Sequence, residues 1–75
     1  MTINDINLQW AQKQLEELSY LSGSPKSGTQ WKGISKAFLR LVHNRTVIHP
    51  TLGRVNDAEW LIAQAAEIFA ALEGK

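Results

Sequence analysis

The sequence predicts a small all-α protein, a three-helix bundle with helices over about residues 2–21, 29–44 and 56–73. Three observations predict it. Apolar residues recur at spacings of three and four in three separate segments. Two stretches rich in turn residues, 22–28 and 49–53, divide those segments. Each segment opens on a side chain that caps helices.

In the first segment Leu8, Ala11, Leu15 and Leu18 line one helical face. Thr2 with Asp5 has the spacing of a capping box, with Met1 and Ile6 at the staple positions; Asn4 or Asp5 is the alternative cap, and Gly23 is the expected stop. In the second segment Trp31, Ile34, Phe38, Leu41 and Val42 share an arc, with Ser27 or Thr29 as cap. Gly33 inside the first turn costs about 1 kcal/mol relative to alanine. The third start is the best specified. Asn56 and Glu59 have capping-box spacing, Val55 and Trp60 stand at the staple positions, and Leu61, Ala65, Ile68 and Leu72 form the stripe, with Ile62 and Phe69 beside it. The second connection, from Arg45 to Val55, is long for a bundle and contains Val47, Ile48, Leu52 and Val55. These side chains are expected to fold over an open end of the core. The alternative is a short hairpin around Pro50 and Gly53.

Composition narrows the function classes. With 75 residues there is room for one domain, and a chain of this size buries only about 60% of its extended surface. No apolar run is long enough for a membrane span, and the first residues carry an early acid and no apolar leader core. The cytoplasm is therefore the default expectation. The chain has no cysteine, which excludes disulfides and thiolate metal sites.

Catalytic chemistry is thinly represented. His43 and His49 are the only histidines, and no Asp or Glu lies between Leu18 and Asn56 to orient them. His43 is expected near a helix C-terminus, where a partly cationic ring is favoured. Residues 23–29 resemble a phosphate loop but lack the lysine after the second glycine, and a helix rather than a strand precedes them. Asn44, Arg45 and Thr46 match a glycosylation sequon, which without a leader is read as accidental. No enzyme, metal or cofactor is expected.

Charge is unevenly placed. Residues 1–17 carry Asp5, Glu16 and Glu17 against Lys13, net −2. Residues 18–56 carry Lys26, Lys32, Lys36, Arg40, Arg45 and Arg54 and no acid, net +6. Residues 57–75 carry Asp57, Glu59, Glu67 and Glu73 against Lys75, net −3. On one continuous middle helix Lys32, Lys36 and Arg40 step by four, extended by His43, opposite Ile34 and Leu41. The competing reading is a solvated face whose cations pair with acids of the flanking helices.

The expected function is a non-catalytic interaction module, accessory, regulatory or inhibitory, that docks on an acidic protein surface through this basic helix. Lys26, Lys32, Lys36, Arg40, Arg45 and Arg54 are the candidate contacts, with Trp31, Trp60 and His43 as candidate interface anchors. Among the three tryptophans, Trp60 is the one least expected to be buried. The alternative partner is a nucleic-acid phosphate backbone, held without sequence reading: both connections exceed the tight turn of a helix-turn-helix, and the helix after the basic one is acidic. A third reading is a structural homo-oligomer subunit. Ala63, Ala66 and Ala70 would let a second copy approach as a homodimer.

Overall fold

The computed structural model describes residues 3–17 and 27–74. These form α1 (Asp5–Glu17), α2 (Gly28–Lys32), α3 (Lys36–Val42), β1 (Thr46–His49), β2 (Gly53–Asn56), α4 (Asp57–Ala63) and α5 (Ala65–Glu73). The expectation of an all-α three-helix bundle is thereby overturned: the described residues hold five helices and a two-stranded antiparallel sheet.

The first helix keeps its expected face. Asn4 caps it, its Oδ1 accepting the Asn7 N–H at 2.7 Å, and Leu8, Ala11 and Leu15 are buried. Met1, Thr2, Leu18, Gly23 and Lys26, to which the sequence assigned a staple, a cap, a stripe position, a stop and a contact, lie outside the described residues.

The middle helix is two helices, because residues 33–35 offer the backbone better partners than a continued helix does. Gly33 closes α2 with its N–H on the Thr29 carbonyl at 3.2 Å, and Ser35 opens α3 with its Oγ accepting the Phe38 N–H at 3.0 Å. Ser27 and Gln30 form the reciprocal capping box at the start of α2. The break resets the helical phase. Leu39 becomes the buried residue of α3, while Leu41 and Phe38, expected in the core, are 78% and 38% exposed.

The expected long loop is the hairpin. Thr46, Val47 and Ile48 are β-branched, and Val47 pairs with Val55 in a register that sets His49 opposite Gly53. The connection is three residues long, 50–52, followed by Gly53 at φ 77°, a left-handed geometry that only glycine adopts without strain.

The last helix is interrupted at Gln64, between α4 and α5. Nothing in residues 60–66 breaks helices by propensity. Next to the interruption the Trp31 indole N–H, reaching across from α2, donates to the Ala65 carbonyl at 2.9 Å. Asn56 caps α4 as expected, accepting the Glu59 N–H at 3.0 Å.

One core joins all five helices. It contains Leu8, Ala11 and Leu15 of α1, Trp31 of α2, Leu39 of α3, Ala58, Trp60 and Leu61 of α4, and Ile68 and Leu72 of α5. Gly28 lets α2 lie against α5, since a Cβ there would stand 2.6 Å from the Phe69 carbonyl oxygen. No helix among the described residues is long and apolar enough to cross a membrane.

Gly28→Ala is therefore expected to destabilise the protein by about 1–3 kcal/mol through forced separation of α2 and α5. Gly33→Ala, at a helical φ and with its nearest new contact at 3.5 Å, is expected to cost nothing or to stabilise by about 0.5 kcal/mol. Urea unfolding of both variants checks the pair.

Candidate functional site

Three arrangements of chemistry-bearing side chains stand out. The first is a buried polar cluster at the base of the hairpin. Asp57, the first residue of α4, and His43, the C-cap of α3, are each fully buried, and His43 Nδ1 donates to Asp57 Oδ2 at 2.7 Å. Arg45 Nε donates to the same oxygen at 3.3 Å. The guanidinium continues to Gln14 Oε1 at 3.1 Å and Glu17 Oε1 at 3.4 Å, which ties α1 to the cluster. The backbone joins in: the N–H groups of Asp57 and Ala58 donate to the carbonyls of Arg45 and His43 at 2.9 and 3.0 Å. With Asn56 taking the Glu59 N–H, the first three helical N–H groups of α4 all have partners. A histidine beside a carboxylate is the constellation general-base chemistry uses, but both side chains here have no exposed surface, and neither lines the cleft described below. In this geometry the pair positions backbone.

The second arrangement is aromatic. The His49 ring packs 4.8 Å from Trp10 and 5.2 Å from Trp60, and the two indoles meet edge to face at 4.8 Å. His49 Nδ1 accepts the N–H groups of Thr51 and Leu52, each at 3.1 Å, so the ring caps the hairpin turn. An accepting Nδ1 places the ring proton on Nε2, which is buried and has no hydrogen-bond partner among the described residues. Burial holds the His49 pKa below its ordinary value of 6.5, because the desolvated ring resists a charge. Trp60, expected to be the exposed tryptophan, is 7% exposed, because it closes this cluster.

The third is a cleft of about 300 Å³ between α2, α3 and α5. Trp31, Ile34 and Leu39 form one side and Ala65, Ala66 and Phe69 the other; the exposed Lys32 and Lys36 also line it. Lys32 Nζ stands 5.5 Å from the centre of the Phe69 ring, within cation–π range.

The sequence-selected cations thus divide. Arg45 is absorbed by the buried cluster, and Arg40 Nε donates to Glu59 Oε2 at 3.0 Å with both side chains more than half exposed. Lys32, Lys36 and Arg54 form no ion pair with any described residue. The step-by-four series of Lys32, Lys36 and Arg40 does not lie on one helix, since α2 and α3 separate the first lysine from the other two. Among the candidate anchors, His43 is sealed inside and Trp31, 3% exposed, lines the cleft wall. Sequence reasoning passed over Asp57, Gln14 and the loop-capping role of His49. The available signal was the hairpin alternative, whose register continues to set Arg45 beside Asp57.

Comparison with protein-family models, curated proteins and solved structures found no match. Among the described residues no group of three or more His, Asp or Glu side chains is placed to hold a metal ion.

Asp57→Ala is expected to cost about 3–5 kcal/mol, because it strips His43 and the Arg45 guanidinium of their shared acceptor. Chemical denaturation measures it. Depression of the His49 pKa gives stability that is present above about pH 6.5 and declines below it, as the unfolded chain takes up a proton that the native ring refuses. Unfolding free energy measured between about pH 7 and pH 5 should fall in the wild type and fall less in His49→Gln.

Proposed function

We propose that this protein is a non-catalytic interaction module that docks on an acidic protein surface through the α2–α3 face and its adjoining cleft. The observation that carries the reading is the pairing of an apolar slot with two lysines, Lys32 and Lys36, that no described carboxylate neutralises. Of the other sequence-selected cations, Arg40 takes Glu59 and Arg45 takes Asp57 and Glu17, while Arg54, unpaired among the described residues, does not line the cleft. Desolvated apolar surface supplies affinity at such an interface, and the charges at its edge supply orientation and rate of encounter.

The same partition weakens the nucleic-acid reading. A phosphate track needs cations spread along a surface, and two of the three arginines that would extend one from the lysines, Arg40 and Arg45, are engaged within the chain, leaving Arg54 alone on the hairpin. Docking of a second copy remains a distinct outcome, since Ala63, Ala66 and Ala70 are exposed.

The test is calorimetric titration of the full chain with an amphipathic peptide bearing glutamates around leucines, with its glutamate-to-lysine counterpart, and with a DNA duplex. The acidic peptide is expected to bind, to weaken as salt rises from about 50 to 300 mM, and to lose at least about tenfold in affinity to a Lys32→Glu/Lys36→Glu variant. Equal binding of the acidic and basic peptides, or tighter binding of the duplex, contradicts the proposal. So does a concentration-dependent dimer in sedimentation that buries these lysines.

A further inference from the structure

We infer that the cleft between α2, α3 and α5 is a socket for a single aliphatic or phenyl side chain of the acidic partner, flanked in that partner by carboxylates that meet Lys32 and Lys36. This rests on the docking reading above and specifies what is recognised.

Size comes first. About 300 Å³ lies at the lower end of the range for small-molecule sites, enough for one large side chain and too little for a helix to sink into. The occupant is thus an anchor residue, the arrangement in which one buried group carries most of an interface's energy.

The wall chemistry then selects the anchor. Trp31 brings the one side-chain donor among the apolar lining residues, and its indole N–H is already given to the Ala65 carbonyl at 2.9 Å. The Ile34 N–H is likewise spent on the Trp31 carbonyl at 3.0 Å. A hydroxyl or amide pushed into the slot finds no partner on those groups, and beyond reach of the two lysines its desolvation cost is uncompensated. An aliphatic or phenyl group loses nothing and packs against the Phe69 and Trp31 rings.

The rim selects the flanks. The Lys32 ammonium lies within cation–π range of Phe69, which holds a positive charge beside the slot, and Lys36 supplies a second one from the first turn of α3. A carboxylate on either side of the anchor would complete both. A second copy of this chain matches that pattern poorly. Its exposed Ile48 faces Arg54 across the hairpin and its exposed Leu41 follows Arg40, while its exposed Ile6 has an acid, Asp5, on one side only and none in the turn that follows.

The experiment titrates the full chain with nine-residue peptides, Glu-Asp-Ala-Ala-X-Ala-Ala-Asp-Glu, in which X is Leu, Phe, Tyr or Ser. Leu and Phe are expected to bind at least about tenfold more tightly than Ser, with Tyr below Phe. Ala66→Trp, a substitution at an exposed position that fills the slot and leaves both lysines in place, is expected to erase the preference. If all four peptides bind the wild type alike and more tightly than a lysine-for-acid control, the socket is refuted while acidic docking stands. Should none outbind that control, the docking reading itself is overturned. The X series on the wild type decides the matter even if Ala66→Trp does not fold.

Discussion

The fold depends on one buried carboxylate. Asp57 sits where the end of α3, the base of the hairpin and the start of α4 converge, and it accepts from both His43 and Arg45. A carboxylate without exposed surface is costly to bury; its Oδ2 holds both partners, while the buried Oδ1 has none among the described residues. Those partners also do structural work through their own backbones. The carbonyls of His43 and Arg45 take the first free N–H groups of α4, so side chains and main chain close the same joint. Arg45 extends the joint to Gln14 and Glu17 of α1, an element far away in sequence.

That constraint decides which charges remain available outside. The middle of the chain holds six cations and no acid, and an unpaired basic face would follow if the segment were a single exposed rod. Instead the hairpin folds Arg45 inward, and α4 brings Glu59 to Arg40. Surface pairs like the second are worth at most about 1 kcal/mol, yet they remove a cation from any extended track. What is left near the apolar cleft is Lys32 and Lys36. The docking surface proposed here is accordingly small, and its selectivity comes from the shape and dryness of a slot more than from total charge.

Much of the helical content was legible because it is local. The Ser27 and Asn56 caps, the Leu8–Ala11–Leu15 stripe and the Leu61, Ile68 and Leu72 positions follow from neighbours within a few residues. The errors arise where two local signals compete or where the answer is tertiary. Gly33 and Ser35 together end one helix and start another, and weighing Gly33 alone put Leu41 in the core in place of Leu39. The β-branched run at Thr46, with Pro50 and Gly53 after it, specified a hairpin that helical context outweighed in the sequence reading. Missing the hairpin hid the site, because only its register brings Arg45 and His43 to an aspartate twelve or more residues downstream. The interruption at Gln64 leaves no trace in the propensities of residues 60–66.

A double-mutant cycle between His43 and Asp57 tests this account most directly. Leucine substitutions at each position alone should be strongly destabilising, each taking from a buried polar group its shortest hydrogen bond, while the double variant should recover at least about 2 kcal/mol relative to their sum. Additivity within about 0.5 kcal/mol would mean that the two side chains act independently, and the buried carboxylate would no longer explain how hairpin and helices are joined.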